Sequence, residues 1–231
     1  MSLVEFKNVN KRFGKTNALT NVNIKIEKGK IYGLLGPNGS GKTTMIKLIN
    51  DLIKPTNGEV LVNDHIPGVE SKKIISYLPE KTYLNMNVKV SSLLEFFSDF
   101  YKDFDKNKAL KLLKKLKINT NDKLKTMSKG TKEKVQLIIV MSRKADLYIL
   151  DEPIGGVDPA SRDYILETIL SNFSEESSII ISTHLIADIE KVLDDIIFIN
   201  KGEIILNDSA EEIRTKKKQT IDSLFREEFK C

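Results

Sequence analysis

One stretch of eight residues constrains this chain more than any other. It runs Gly36-Pro37-Asn38-Gly39-Ser40-Gly41-Lys42-Thr43 and fills every fixed position of the pattern G-x-x-x-x-G-K-S/T. An apolar run at 31–35 predicts a buried strand before it, and the run at 45–49 predicts a helix after it. Glycines let backbone N–H groups turn toward an anion, and the helix N-terminus adds its positive dipole end. The stretch therefore predicts a loop that binds the phosphates of a nucleoside triphosphate.

Within this loop, Lys42 is expected to reach the terminal phosphates, and the Thr43 hydroxyl is expected to ligate Mg²⁺. A glycine-rich turn without a ligand is the competing interpretation. It is disfavoured because the strand, the loop and the helix all agree with the fixed residues of the pattern.

The composition indicates a globular chain with one large domain. Of its 231 residues, 40% are hydrophobic and 30% are charged. No apolar run approaches the roughly 18 residues that a membrane helix needs, and the N-terminus lacks the pattern of a signal peptide. We therefore expect a cytoplasmic protein that is held at the inner face of the cell membrane only through a partner.

Charge and cysteine content narrow the possible partners. The net charge is +5, and lysines are dense between 111 and 125. They indicate either a nucleic-acid contact or the solvated face of an amphipathic helix, and leucines at helical spacing favour the helix. The single cysteine, Cys231, excludes an intrachain disulfide and a zinc site built of thiols. No nucleic-acid partner is expected.

Strand and helix patterns alternate along most of the chain. Strands are predicted at 4–9, 22–26, 31–35, 59–62, 73–77, 147–150, 178–182 and 195–199, with a hairpin turn at 200–203. Further helices are predicted at 160–170 and 185–193. Between 90 and 143 helical patterns dominate, with one apolar stripe formed by Leu93, Leu94, Phe96, Phe97 and Phe100. A second stripe spans 109–116, and a third helix spans 128–141.

Continuous apolar strands that alternate with helices form parallel sheets covered on both faces. We therefore predict an α/β fold with a phosphate-loop NTPase core of mostly parallel sheet, an N-terminal antiparallel β subdomain and a helical insert. The chain is expected to be one domain over 1–231. Its core spans 1–85 and 145–215, the helical part about 86–144, and a short helical tail about 209–231.

A pair of carboxylates ends one of the apolar strands. Asp151 and Glu152 follow directly on the run at 147–150. Ligands of parallel sheets bind beyond the carboxyl ends of the strands, where the phosphate loop also lies. Asp151 is thus placed to hold Mg²⁺ and Glu152 to accept a proton from water, although helix-capping acids are the plainer alternative. His184 follows the strand at 178–182 and lies at the same edge.

Taken together, these residues resemble the ATP-binding cassette of ABC transporters, and the resemblance covers nearly the whole chain. Phe13 matches the aromatic residue that stacks on adenine, and Thr44 follows the phosphate loop as is usual. Glu80, at the end of Tyr77-Leu78-Pro79-Glu80, matches the residue that contacts Mg²⁺ and couples to the transmembrane partner. Met127-Ser128-Lys129-Gly130-Thr131 lies where the family signature Leu-Ser-Gly-Gly-Gln belongs. Gly155-Gly156-Val157-Asp158-Pro159 looks like the segment at the dimer interface, and Ser182-Thr183-His184 carries the switch histidine.

Two departures from the family pattern stand out. Glu80 replaces the usual glutamine, which keeps an oxygen ligand for Mg²⁺ but adds repulsion toward the γ-phosphate. The signature keeps Ser128 and Gly130 but has Lys129 and Thr131 in place of glycine and glutamine. Similar variants occur in cassettes that resemble drug, peptide and polymer exporters of Gram-positive bacteria, so the resemblance favours export.

The resemblance implies ATP and Mg²⁺ as cofactors, with Lys42, Glu152 and His184 as catalytic residues. ATP contacts are implied for Phe13, the phosphate loop, Thr44, Ser128 and Gly130, and Mg²⁺ contacts for Thr43, Glu80 and Asp151. It further implies transmembrane permease subunits as partners, and a head-to-tail homo- or heterodimer with a second such subunit.

Other functions stay open at the level of sequence. A soluble ABC ATPase is one, and a regulatory ATP-binding module that scarcely hydrolyses ATP is another. A small GTPase is disfavoured, because the nearest match to its guanine-reading Asn-Lys-x-Asp is the segment at 200–203, which ends in glutamate.

Overall fold

The computed structural model describes residues 2–155, 157–216 and 218–229, without the side chains at 159 and 160. Gly156 and Cys231, which entered the predictions above, lie outside these residues. The strands are β1 (Ser2–Phe13), β2 (Thr16–Glu27), β3 (Ile31–Leu35), β4 (Asn57–Val62), β5 (Ile75–Leu78), β6 (Leu147–Asp151), β7 (Ser178–Ser182), β8 (Asp195–Asn200) and β9 (Glu203–Ser209). The helices are α1 (Lys42–Ile49), α2 (Val69–Ile74), α3 (Val90–Phe100), α4 (Lys106–Lys115), α5 (Lys129–Met141), α6 (Pro159–Leu170), α7 (Ile186–Ile189), α8 (Ala210–Lys216) and α9 (Ile221–Phe229). Two short 3₁₀ turns span Leu124–Thr126 and Glu190–Val192.

A six-stranded sheet forms the centre of the molecule, in the order β5-β6-β7-β3-β8-β9. All neighbours are parallel except β9, which pairs with β8 as an antiparallel hairpin. Every residue of β3, β6 and β7 is buried, because helices or a second sheet cover both faces. The predicted mostly parallel α/β core is confirmed.

A smaller antiparallel sheet, β2-β1-β4, packs against one face of the central sheet. Its inward residues alternate with outward ones, and Val4, Phe6 and Val60 join the core that also holds Met45 and Ile46 of α1. Strands β1 and β2 are much longer than the sequence predicted, since the alternation continues past polar residues into the hairpin at Gly14. The predicted antiparallel β subdomain is confirmed.

Helices α3, α4 and α5 form the predicted helical insert, with an apolar core of their own. The predicted stripe of α3 is only partly correct. Leu93, Leu94 and Phe97 are buried, but Phe96 and Phe100 are 58% and 67% exposed and stack on each other with ring centroids 5.9 Å apart. Both side chains lie on the solvent-exposed face of α3.

Arg143 joins the helical insert to the central sheet. Its side chain is buried, its Nε donates to the Asp103 carboxylate at 3.1 Å, and its guanidinium lies 3.8 Å from the centre of the Tyr101 ring. Its other nitrogens donate to the carbonyl of Lys73 in the last turn of α2 and to that of Ile75 at the start of β5. A charge this deeply buried is stabilised because each of its three nitrogens donates to an acceptor.

Two predicted boundaries were wrong. The segment at 73–77 was expected to be a strand, but α2 continues to Ile74 and the strand runs from Ile75 to Leu78. The helix expected at 185–193 is a four-residue helix, Ile186–Ile189, followed by a 3₁₀ turn. Within the described ranges, no helix is both long enough and apolar enough to cross a membrane.

Candidate nucleotide-binding site

A cavity of about 900 Å³ opens at the carboxyl edge of the central sheet. The loops after β3, β5, β6 and β7 meet there because these strands are parallel and their ends are in register, with Asp151 opposite Ser182. The cavity is lined by Asn38 to Thr44, Leu78 to Thr82, Asp151 to Pro153, Gly155, His184, Ala18 and one face of α5. The sequence prediction that these loops share one site is consistent with this geometry.

The phosphate loop is packed tightly onto the strands behind it. Ser40 donates its N–H to the Pro37 carbonyl at 3.1 Å, and Gly202 donates to the Ser40 carbonyl at 2.8 Å. A Cβ at Gly36 would lie 2.2 Å from the Ile199 carbonyl oxygen, so only glycine fits at the start of the loop. Gly41, which precedes α1, has a φ of 118° and provides no side-chain cap. The N–H groups at the start of α1 are therefore left for a ligand.

Lys42 is buried at the floor of this cavity. Its Nζ donates to the carbonyls of Gly36 at 2.7 Å and Pro37 at 3.1 Å. Burial lowers the pKa of Lys42, and the carboxylates of Glu152, Asp151 and Glu80 act in the opposite direction. An ammonium held beside a phosphate loop and partly desolvated is suited to neutralise phosphate charge.

Asp151 fits the metal-ligand role expected of it. Its Oδ2 is buried and lacks a hydrogen bond of good geometry among the described residues. Burial raises the pKa of the carboxyl, and the nearby Ser182 hydroxyl acts in the opposite direction. An orphaned buried carboxylate oxygen of this kind is satisfied by a hard cation such as Mg²⁺, directly or through water. Thr43 and Glu80 line the same cavity.

The described residues contain no group of three His, Cys, Asp or Glu side chains that holds a metal unaided. A Mg²⁺ ion at Asp151 therefore needs further oxygen ligands. The Thr43 hydroxyl and the phosphates of a bound nucleotide are of the right kind.

Glu152 follows Asp151 in a left-handed backbone conformation, with a φ of 52°. Its N–H donates to the Ser182 carbonyl at 2.8 Å, and its carboxylate contacts His184 Nδ1 at 3.0 Å. The Thr183 hydroxyl donates to the same carboxylate at 3.2 Å. The structure thus brings together the predicted Glu152 and His184, and adds Thr183, which sequence reasoning did not identify as a site residue.

Five predicted binding residues do not line this cavity. Gly36 and Pro37 begin the phosphate loop and their carbonyls accept from Lys42, and the other three are Phe13, Ser128 and Gly130. Phe13 is 49% exposed at the end of β1, where Lys11 Nζ lies 4.9 Å from the centre of its ring. Ser128 is exposed and caps α5, because its Oγ accepts the Thr131 N–H at 3.2 Å. Gly130 is the second residue of α5, and no atom lies within 4 Å of the position that a Cβ would occupy there.

One face of α5 lines the cavity, which the sequence analysis missed. Lys129, Lys132, Glu133 and Gln136 are the lining residues. Their spacing of three, four and seven residues places them on one face of a helix, and this was the available signal. Gln136 is buried and donates to the Pro79 carbonyl at 3.5 Å, next to Glu80.

A phosphate loop after a central parallel strand, with a cationic Lys42 and carboxylates at the neighbouring strand end, defines a phosphate-loop nucleotide hydrolase. Residues 19–155 match the family described as ABC transporter. The chain is 32% identical over 206 residues to the lantibiotic transport ATP-binding protein SrtF of Streptococcus pyogenes, covering 88% of this chain and 90% of SrtF.

Solved structures show the same relationship. An ATP-binding subunit of an ABC transporter superposes with a TM-score of 0.88 at 25% identity, covering 98% of this chain and 99% of that one. A dimeric ATP-binding cassette, MJ0796, in a post-hydrolysis state with ADP and Pi, gives a TM-score of 0.78 at 25% identity, covering 90% and 98%. The chain belongs to the ATP-binding subunits of ABC transporters, and it is an ATPase.

Proposed function

We propose that two copies of this chain pair head to tail around two ATP molecules and thereby drive separate transmembrane subunits. The observation that carries the proposal is the separation of two phosphate-binding elements. Residues 38–44 of the phosphate loop line the cavity, whereas Ser128 and Gly130 at the start of α5 do not, although Lys129 between them does. A C2 pair lets each chain supply its signature turn to the nucleotide held by the other.

In each such site the protein groups have distinct tasks. Glu152 takes a proton from the attacking water, and Lys42 offsets the charge that develops on the phosphates. His184 contacts the γ-phosphate while its Nδ1 faces Glu152. Thr43, Glu80 and Asp151 hold Mg²⁺, which supplies charge neutralisation at the phosphates.

The adenine is assigned to Phe13. Its ring is half exposed at the tip of the β1–β2 hairpin, and the Ala18 backbone of the same hairpin reaches the cavity. A flat exposed ring offers a face on which a base stacks at little cost in side-chain entropy.

The transmembrane subunits are assigned to the surface between the Glu80 loop and the helical insert. Phe96, Phe100 and Tyr83, all more than half exposed, lie on α3 and on the loop after Glu80. An exposed aromatic group of this kind marks an interaction surface. Such docking holds the chain at the inner face of the cell membrane.

Export of a drug, peptide or polymer is supported by the relative SrtF, named for lantibiotic transport.

The decisive variant is Glu152→Gln, which keeps the shape and removes the proton acceptor. We expect ATP binding to be kept, steady-state turnover to fall by about 100-fold or more, and an ATP-bound dimer to accumulate in size-exclusion chromatography. Glu203→Gln, on the exposed strand β9, is the matched control and should behave as the parent. Parent-rate hydrolysis by Glu152→Gln would show that Glu152 is not the base.

A further inference from the structure

Thr183 is a fully buried threonine at the end of β7 with both sides of its hydroxyl engaged. Its Oγ1 accepts the Leu185 N–H at 3.1 Å and lies 3.2 Å from Glu152 Oε2. A hydroxyl has one proton, and a carboxylate only accepts. With the amide occupying a lone pair, the proton of Thr183 is directed at Glu152, so the hydroxyl rotor is fixed by its surroundings.

The two carboxylate oxygens of Glu152 are therefore not equivalent. Oε2 contacts both Thr183 Oγ1 at 3.2 Å and His184 Nδ1 at 3.0 Å. Oε1 has His184 Nδ1, at 3.1 Å, as its one hydrogen-bond partner within the described part of the chain.

The backbone of Glu152 is fixed by separate contacts. Its N–H donates to the Ser182 carbonyl at 2.8 Å, and its carbonyl accepts the Gly155 N–H at 3.1 Å. These bonds set the position of Cα but leave the side-chain torsions free. The Thr183 hydroxyl is the buried group that restrains the carboxylate itself, since His184 is on the exposed side.

We propose that Thr183 is a positioning residue for ATP hydrolysis, which holds Oε2 and leaves Oε1 as the oxygen that takes the proton of the attacking water. In that step the water oxygen bonds to the γ-phosphorus, the bond from this phosphorus to ADP breaks with its electrons on ADP, and Oε1 receives the proton. The inference rests on the proposed role of Glu152. A purely structural role is the alternative, because a threonine hydroxyl that accepts the N–H two residues on also begins a turn.

The test is a set of substitutions in the full chain, with steady-state ATPase kinetics and thermal unfolding measured for each. Thr183→Val keeps the shape and removes the hydroxyl, and Thr183→Ala is a second variant without it. Both should lose about 10-fold to 100-fold in kcat with KM changed less than about twofold, since a displaced catalytic group affects the transition state. Thr183→Ser, which keeps the hydroxyl, should stay within about threefold of the parent.

A double-mutant cycle with Glu152→Gln separates positioning from structure. In that background Thr183→Val should cause no further loss in single-turnover rate, because the group that it positions no longer accepts a proton. Parent-like kcat in the valine and alanine variants would overturn the inference, and so would an equal loss in the serine variant. A parent-like rate for Glu152→Gln alone would instead overturn the proposed function, whatever the threonine variants do.

Discussion

Two helix N-termini carry the residues that we propose for phosphate binding, and their caps differ. Helix α1 begins after Gly41 with no side-chain cap, and its loop is folded tightly around the ammonium of Lys42. Helix α5 begins after Ser128, which caps it with its own hydroxyl and stands exposed. The N-terminus of α1 lines the cavity, whereas at the N-terminus of α5 Lys129 lines it but the cap Ser128 and Gly130 do not.

This difference indicates that the phosphate loop serves ATP binding and that the turn before α5 serves ATP turnover. A loop with unused N–H donors, a desolvated lysine and a neighbouring metal ligand binds phosphate on its own. A capped, exposed turn with open space at Gly130 gains a ligand only when another surface is brought against it. Substitutions in the phosphate loop should therefore change ATP affinity. Substitutions in the turn at Ser128 and Gly130 should change the rate of ATP turnover alone.

The largest effect is expected at Lys42. Lys42→Ala removes the buried cation of the phosphate loop, and ATP affinity measured by titration calorimetry should fall about 100-fold or more, equivalent to roughly 3 kcal/mol. Lys47→Ala, on the exposed side of α1, is the matched control and should bind as the parent. Equal losses in both would mean that helix stability, not phosphate contact, is being measured.

The two glycines give the sharpest contrast. Gly36→Ala places a methyl group 2.2 Å from the Ile199 carbonyl, so the free energy of unfolding should fall by about 2–3 kcal/mol and ATP binding with it. Gly130→Ala meets no atom and should stabilise α5 by up to about 1 kcal/mol. Turnover should nevertheless fall about 10-fold, because the partner's nucleotide must approach that turn closely. Thermal melts and ATPase rates on both variants check this, and a Gly130→Ala chain with full activity would break the comparison.

A smaller effect is expected at the cap of α5. Ser128→Ala should leave the ATP affinity of a single chain unchanged and lower kcat about 10-fold, since one donor to the neighbouring nucleotide is lost. It also removes a helix cap, which costs about 1 kcal/mol. Asp105→Ala removes the equivalent cap of α4, which does not line the cavity, and should cost similar stability with parent activity. If both variants lost activity alike, Ser128 would be a cap and nothing more.

The smallest effect concerns Glu133 on the cavity face of α5. Its Oε2 is buried without a partner among the described residues, and burial raises the pKa of the carboxyl above its ordinary value, against the opposing effect of Lys129. Because folding raises this pKa, the free energy of unfolding falls as the pH rises from the unfolded-state pKa of Glu133 through its folded-state pKa. The protein with Glu133 ionised, as at pH 7, is therefore less stable than the protein with Glu133 protonated. Glu133→Gln should raise the melting temperature by about 2 °C at pH 7, from roughly 0.5–1 kcal/mol. The gain should vanish near pH 4, and melting curves at both values measure it.

Sequence alone predicted the features fixed by local chemistry. The phosphate loop, the buried strands and the carboxylate pair were evident because pattern and neighbours agree within a few residues. The α2–β5 boundary was missed, and at this boundary Arg143 binds the Lys73 and Ile75 carbonyls from about 70 residues away, a contact that no local pattern reveals. Thr183 was missed for a related reason. Its proposed role depends on a hydrogen bond to Glu152, which is distant in sequence.

The central claim is that each ATP site is completed by a second copy of the chain. The most direct test mixes two variants that are inactive alone, Lys42→Ala and Ser128→Arg, and measures ATP hydrolysis. In a mixed dimer one site carries both defects and the other carries neither, so an equimolar mixture should recover about a quarter of parent activity. Activity no higher than the mean of the two separate variants would contradict the account.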